Sequence, residues 1–330
     1  MKKITVAVTG GAGFIGSHLV ERLLKENYKV KLIDNFYNGK KANLKDFINN
    51  KNLTIYKTDI LEKKKLDKIF TNCKFVFHLA ALADIVPSIE KPQAYYDTNV
   101  TGTFNVLEAA KKNNVEKIIY SASSSCYGIK NNPPFTENSS ISTEYPYALT
   151  KYLGEQLISH WGKIYKLKFA SLRLFNVYGP RSRTSGAYGA VFGVFLAQKI
   201  SNKPFTVVGD GKQRRDFIYV EDVVDAFYKA ALSKNNNIKV NIGTGKAHSI
   251  NYLTTLLKGK KVYIPKRPGE PDITLADIKL AKKLIKWKPT ISFENGVEIM
   301  LKNIDNWINA PLWNKNNISK ATKNWFKYLN

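Results

Sequence analysis

Only two cysteines, Cys73 and Cys126, occur in 330 residues. Two thiols are too few for a disulfide framework, which fits a reducing cytoplasm. No uninterrupted apolar run reaches spanning length, so no membrane segment is expected. The N-terminal stretch MKKITVAVTGG is apolar only briefly and is broken by glycine, and it reads as a first strand rather than an export signal. Acidic residues are scarce, 26 against 52 Lys and Arg, giving a formal charge of +26. That excess raises nucleic acid as a partner. Here, however, it is spread as lysine along the whole chain among abundant Asn and Ile, so nucleic-acid binding is not expected. Arginine is rare: Arg22, Arg173, Arg181, Arg183, Arg214, Arg215 and Arg267 are all seven. Where lysine is the default cation, a retained arginine suggests a need for its planar, bidentate fork. Five of the seven, Arg173, Arg181, Arg214, Arg215 and Arg267, fall within the motifs below.

What is present is a rhythm. The hydrophobic fraction of 44% is enough for one large core or two adjoining ones. Strands are expected at Ile4–Val8, Lys29–Ile33, Leu53–Tyr56, Phe75–His78, Lys117–Tyr120 and Lys168–Leu172. Helices are expected at Phe14–Lys25, Leu61–Phe70, Tyr95–Lys112 and Tyr147–Tyr165. This βαβ alternation implies an α/β fold, a doubly wound parallel sheet with helices on both faces. From about Asn176 the pattern breaks into Gly- and Pro-punctuated loops. Further helices are expected near Tyr188–Ile200, Glu221–Leu232, Asn251–Leu257 and Phe293–Trp307. The chain therefore divides into residues 1–175, a dinucleotide-binding domain, and 176–330, a smaller C-terminal substrate lobe. Some segments of the lobe are expected to return to the main sheet.

Thr9-Gly10-Gly11-Ala12-Gly13-Phe14-Ile15-Gly16 follows the first strand and opens the first helix. Gly10 permits the tight turn, Gly13 lets a pyrophosphate approach the backbone, and Gly16 lets helix and sheet pack closely. Asp34 ends the second strand, where a carboxylate accepts from a ribose 2′-OH and repels a 2′-phosphate. Together these indicate a Rossmann-type domain using NAD rather than NADP. Asp59-Ile60, after the third strand, are candidates for adenine contact.

Tyr147-Ala148-Leu149-Thr150-Lys151 places Tyr147 and Lys151 at i and i+4, on one helical face. A tyrosine is a poor base at neutral pH, but a nearby ammonium and a positive nicotinamide ring both favour the phenolate. Lys151 can also reach the nicotinamide ribose. One element upstream, Ser121-Ala122-Ser123-Ser124-Ser125-Cys126-Tyr127-Gly128 ends the fifth strand, where its hydroxyls can donate to a sugar oxygen that is becoming a carbonyl.

With these motifs, TGGAGFIGS, HLAA, NVTGT, SASSSCYG, YALTK, LRLFNVYGPR, GDGKQRRDFIYVEDVV and RPGEPD occur in an order that resembles the extended short-chain dehydrogenases/reductases of the NAD-dependent epimerase/dehydratase type. The likeness runs from Lys3 to about Pro289 and is nearest to UDP-glucose and UDP-N-acetylglucosamine 4-epimerases. It implies Ser123, Tyr147 and Lys151 as the catalytic set, Tyr147 being the base. It implies a cofactor set of Gly10, Gly13, Phe14, Ile15, Gly16, Asp34, Asn35, Asp59, Ile60, Leu79, Ala80, Ala81, Asn99 and Ser121, with Tyr147 and Lys151; Asn99 supports the lysine side. Ser123, Ser124, Asn176, Arg215, Arg267, Glu270 and Thr274 are implied to meet the nucleotide sugar, and no metal ligands are assigned. The resemblance also implies a homodimer through Tyr95–Lys112 and Tyr147–Tyr165, whose Val100, Phe104, Leu107, Tyr152, Leu153, Leu157 and Trp161 offer surplus apolar surface. Asp222 is expected as a helix cap rather than a ligand.

Three departures refine the expected reaction. Ser124-Ser125 stand where 4,6-dehydratases of the family carry an Asp-Glu pair, and decarboxylating relatives keep a Glu at the position of Ser125. Hydroxyls do not supply the acid and base that elimination needs, so simple 4-epimerisation by transient C4 oxidation is expected. Ala83 replaces a lysine found in some 4-epimerases. Thr274, seven residues after Arg267, stands where relatives restricted to plain hexoses carry a large Tyr beside the sugar C2 substituent. The smaller side chain leaves room for an acetamide, although Thr274 could instead cap the segment before Ala276-Asp277.

Overall fold

Strands β1 Thr5–Thr9, β2 Lys29–Asp34, β3 Leu53–Lys57, β4 Phe75–His78, β5 Lys117–Ser123 and β6 Lys168–Leu174 alternate with helices, as the spacing predicts. These elements are taken from a computed structural model that describes residues 3–129, 132–182 and 191–329. The helices of this half are α1 Phe14–Lys25, α2 Lys63–Ile69, α3 Ile85–Glu90, α4 Pro92–Tyr96, α5 Gly102–Lys112 and α6 Pro146–Tyr165. After them come β7 Asn176–Tyr178, α7 Val191–Ile200, β8 Phe205–Val208, β9 Arg214–Arg215, β10 Phe217–Tyr219, α8 Val220–Leu232 and β11 Ile238–Ile242. The chain ends with β12 His248–Ser249, α9 Ile250–Leu257, β13 Lys261–Ile264, α10 Lys279–Leu284, α11 Phe293–Lys302, α12 Lys315–Ala321 and α13 Lys323–Tyr328.

One seven-stranded sheet in the order β11-β6-β5-β4-β1-β2-β3 organises the molecule, and every pairing in it is parallel. The chain runs outward from β1 through β2 and β3, then returns to β4 on the other side. The reversal between β1 and β4 opens a crevice at the strands' carboxyl ends, where ligands of such sheets bind. Strands buried on both faces read as near-continuous apolar runs, as in β4, whose four residues are all buried. β11 re-enters this sheet from the second half of the chain beside β6.

The helix expected over Tyr95–Lys112 is more complex than its apolar spacing suggests. A π-helical turn at Asp97–Thr101 joins α4 to α5. Such a turn rotates the side chains that follow it, and it contains Asn99. The expected Phe293–Trp307 helix stops at Lys302 and resumes as a 3₁₀ turn, Ile304–Trp307, after Asn303 turns its amide back onto the Ile299 carbonyl. Arg183 and the start of the helix expected from Tyr188 lie outside the described residues.

Asp222 is not a cap. It is buried in the first turn of α8, and its carboxylate accepts from the Thr290 and Ile291 backbone N–H groups and the Thr290 hydroxyl. It clasps the connection before α11 to α8, a long-range role with no local signature. Among the described residues no helix is long and apolar enough to cross a membrane.

Candidate active site

A cleft of about 1370 Å³ lies over the carboxyl ends of the strands and takes its walls from both halves of the chain. All the cofactor and substrate candidates line it except Asn99, which is buried behind the wall.

The dinucleotide end is made of backbone. Gly10 has φ +70°, and a Cβ there would sit 2.7 Å from the Ala80 nitrogen on the neighbouring loop. A Cβ on Gly16 would overlap the Gly10 carbonyl, so the first turn of α1 packs directly on the glycine loop. Gly13, by contrast, would meet only the Gly10 carbonyl at 3.1 Å. It is the N-cap of α1, has no capping side chain and is followed by no acidic residue in the first turn. The N–H groups of that turn thus face the cleft as a ready anion site, which a side chain at Gly13 would begin to fill. Asp34 is fixed by hydrogen bonds from the Ala12 N–H at 2.9 Å and the Phe36 N–H at 2.8 Å. Burial pushes its carboxyl up while those two bonds hold it down. Asn35 donates to Asp59 at 2.7 Å, which ties the ends of β2 and β3 together beside it. The cradle fits a dinucleotide diphosphate with a ribose against Asp34.

At the reacting end, β5 runs three residues further than its apolar core and delivers Ser123 at its tip. Tyr145 is extended and Pro146 starts α6, which sets Tyr147 and Lys151 one turn apart on its first coils. The Tyr147 hydroxyl donates to Ser123 Oγ at 3.3 Å. Ser123 Oγ also accepts from the Ser125 N–H at 3.2 Å, leaving its own proton for Ser125 Oγ at 2.7 Å. Burial pushes the Tyr147 phenol up, and the Ser123 hydrogen bond opposes that shift. Burial also pulls Lys151 down from 10.5 to about 7, partly opposed by Glu155. The chain's own groups therefore favour the neutral phenol, where the sequence expects a lysine-stabilised phenolate. The reason is that burial of the phenol itself outweighs the Ser123 hydrogen bond, and the Asp84 charge adds to the shift. Lys151 Nζ sits 4.3 Å from the Tyr120 ring centroid and donates to no acceptor among the described residues, although it lines the cleft.

Asn99 acts on this set from behind. Its amide donates to Thr150 Oγ1 at 3.0 Å and to the Leu82 carbonyl at 3.0 Å, and Thr150 donates to the Tyr147 carbonyl at 3.1 Å. Thr103 Oγ1 donates to the Asn99 carbonyl at 2.6 Å, so it accepts from His78 Nε2 at 2.9 Å. His78 Nδ1 then accepts from Thr9 Oγ1 at 2.8 Å. His78 is fully buried and is pulled down to about 3 by burial, with Lys151 adding to the shift, which keeps it neutral as this chain of bonds requires. The network links the glycine loop after β1 to the turn of α6 that carries Tyr147 and Lys151.

On the opposite wall, Thr274 Oγ1 donates to Asn176 Oδ1 at 2.9 Å and accepts from the Asp216 N–H at 3.3 Å. The hydroxyl thus joins three segments rather than capping its own. Arg215 pairs with Glu270 at 3.3 Å, and Arg267 lies over Trp325 with its guanidinium carbon 5.3 Å from the ring centroid.

Residues 6–243 match the NAD dependent epimerase/dehydratase family. The chain belongs to this family. The UDP-glucuronate 4-epimerase of Thermodesulfobacterium geofontis is 36% identical over 315 residues, 91% of this chain and 94% of that one. Among solved structures, the UDP-N-acetylglucosamine 4-epimerase of Methanobrevibacter ruminantium M1 has a TM-score of 0.86 at 36% identity, covering 92% of this chain and 100% of that one. The UDP-glucose 4-epimerase of Thermotoga maritima, solved with UDP-glucose, has a TM-score of 0.86 at 34% identity, covering 92% and 99%. These three relatives of the epimerase/dehydratase chain carry three different sugars in their names.

Two aromatic residues in this family member's cleft have no counterpart in the sequence reading. Tyr145 lies parallel to Tyr147 at 6.4 Å, and Trp325 comes within 6.4 Å of Tyr145. Tyr145 adjoins a motif that drew attention to its neighbour, and Trp325 lies beyond every motif. Asp84 also lines the cleft, and its charge raises the Tyr147 pKa. Among the described residues no group of three or more His, Cys, Asp or Glu is placed to hold a metal ion.

Proposed function

We propose that this chain is an NAD-dependent 4-epimerase of a nucleotide-linked hexose, acting on a UDP-hexose or UDP-N-acetylhexosamine. The observation that carries the reading is the Tyr147–Ser123 contact at 3.3 Å, set where a dinucleotide cradle meets a wall bearing Arg215 and Arg267. Tyr147, as the phenolate that a bound, positively charged nicotinamide would favour, takes the proton of the C4 hydroxyl while Ser123 holds that oxygen as it becomes a carbonyl. When bound, NAD would supply reversible hydride exchange at C4 of the sugar. Tyr147 gives its proton back to O4, so the cycle has no net oxidation. Lys151 would hold the nicotinamide ribose, Asp34 the adenosine ribose, and the first turn of α1 the pyrophosphate. Ser124 and Ser125, being hydroxyls, support epimerisation over loss of water.

The test is mass spectrometry of co-purifying nucleotides, followed by proton NMR of a panel of UDP-, dTDP-, GDP- and CDP-sugars. Interconversion of C4 epimers without change of mass is expected. A 4-keto-6-deoxy product or release of carbon dioxide overturns the reading.

The reading extends to a cytoplasmic enzyme, supported by two buried free thiols, and to a division of labour between residues 1–175 and 176–330. It also extends to a homodimer. Of the residues expected at the interface, Val100, Leu107 and Trp161 are buried in the subunit itself. Phe104, Leu149, Ile164 and Tyr165 remain exposed on α5 and α6, an apolar face suited to a second copy of this chain. Sedimentation should show a dimer at micromolar concentration, and monomer alone would remove this part.

A further inference from the structure

The last helix of the chain, α13, folds back across the mouth of the cleft. It packs against α3 on the cofactor side, where Asn324 donates to Glu90 at 3.3 Å. On the other side, the Leu329 side chain lies over Gly269 of the Arg267–Glu270 loop. Between these two contacts Trp325 points inward. It is only 3% exposed, and it lines the cleft. Its indole N–H donates to the Pro268 carbonyl at 2.6 Å, its face carries the Arg267 guanidinium at 5.3 Å, and its ring approaches Tyr145 at 6.4 Å. One side chain therefore grips the arginine loop at two adjacent residues and abuts the tyrosine that lies against the base.

We propose that Trp325 is a positioning residue for the nucleotide diphosphate, acting by holding the Arg267 guanidinium, and that α13 is thereby part of the substrate site. The inference rests on the nucleotide-sugar reading above. A free arginine side chain samples many rotamers, and ordering it on binding weakens affinity. An indole face set beneath the guanidinium narrows that range in advance. A guanidinium held over an aromatic face is attracted through its charge, and its planar fork matches the geometry of phosphate oxygens. The Pro268 hydrogen bond fixes the indole relative to the loop, so arginine and platform move together. Gly269, at φ +68°, makes the turn that brings Arg267 and Glu270 to the same wall.

The test uses the full chain with its co-purified dinucleotide, and UDP as the probe in calorimetry. Trp325→Ala should weaken UDP about tenfold, and in turnover the loss should fall on KM rather than kcat. Trp325→Phe, which keeps an aromatic face without the N–H, should recover part of the affinity; it also serves if the alanine variant does not fold. In an Arg267→Ala background, Trp325→Ala should have little further effect, because the group it positions is gone. Unchanged UDP affinity in Trp325→Ala, or an equal loss with and without Arg267, overturns the inference. A parent protein that binds UDP but epimerises no sugar overturns the proposed reaction and leaves this inference standing. A parent that binds no UDP overturns both.

Discussion

The two walls of the cleft differ in how they are assembled. The cofactor wall uses residues at the ends of neighbouring parallel strands and the turns that follow them: Gly10 to Gly16 after β1, Asp34 at the end of β2, Leu79 to Ala81 after β4, Ser121 to Ser123 at the tip of β5. Backbone ladders place them, and much of what they offer a ligand is backbone. On the substrate wall, Thr274 reaches Asn176 across 98 residues, and the Asp216 carboxylate accepts from the Ala276 N–H across 60. Asp216 is fully buried and also accepts from the Thr244 N–H and hydroxyl and from the Gly245 N–H. The sheets on this side have only two strands each. One wall is thus set by sheet topology, while the other is set by a few side-chain clasps. The second can change its ligand without moving the first, which fits a family whose members differ in their sugars.

The largest expected effect breaks the junction of the walls. Tyr147→Phe keeps the ring packed beside Tyr145 and Tyr95 but removes the atom that takes the proton. Turnover should fall by about 10²–10⁴-fold, while dinucleotide retained through gel filtration, measured by absorbance or mass, stays at the parent level. Near-normal turnover would mean that Tyr147 is not the base.

A smaller effect tests the cofactor wall alone. Lys151 is buried and pulled down to about 7, so its charged form is disfavoured in the folded chain. The unfolded chain holds that proton up to about pH 10.5. Between the two values the unfolded state binds more protons, so stability rises with pH across this window. Below pH 7 both states are charged and the full cost of the buried ammonium is present. Lys151→Met should therefore stabilise protein stripped of dinucleotide most at pH 6, by on the order of a few kcal/mol. The gain should shrink as pH approaches 10. Melting temperatures across this range check the sign, and a gain that grows with pH would contradict the burial account.

The same contrast governs how much could be read in the sequence. Gly10, Gly13, Gly16 and Asp34 are legible because one strand-turn-helix unit contains the chemistry and its geometry together. Tyr147 and Lys151 are legible because α6 sets them one turn apart. The support expected of Asn99 on the lysine side runs through Thr150 from behind the wall, a route that apolar periodicity does not show because a π-helical turn carries the residue. Asp222 read as a cap because its partners, Thr290 and Ile291, lie 68 and 69 residues away. Trp325 was silent for the same reason. Its value depends on Arg267, Pro268 and Tyr145 meeting it in space, and no spacing in the chain announces that.

The smallest expected effect bears on the substrate wall alone, at Thr274. Its hydroxyl bridges Asn176 and the Asp216 backbone, and its side chain faces the cleft. Thr274→Tyr therefore does two things at once: it removes the bridge and adds a ring. Thr274→Val separates them, since it keeps the shape and loses only the hydroxyl. A lost bridge loosens Asn176 whatever the sugar, so Thr274→Val should slow UDP-glucose and UDP-N-acetylglucosamine alike. An added ring fills the space beside the sugar C2 substituent, and overpacking of this kind costs about 1–3 kcal/mol, roughly 5- to 150-fold in kcat/KM. That further loss should fall on the acetylated sugar, because a pocket rejects an oversized group more strongly than one too small for it. The quantity to measure is the ratio of kcat/KM for the two sugars in the parent and in both variants. The ratio should hold in Thr274→Val and shift toward UDP-glucose in Thr274→Tyr. If Thr274→Tyr slows both sugars equally, the acetamide does not lie against residue 274, and the two-walled picture keeps its clasp but loses its specificity pocket.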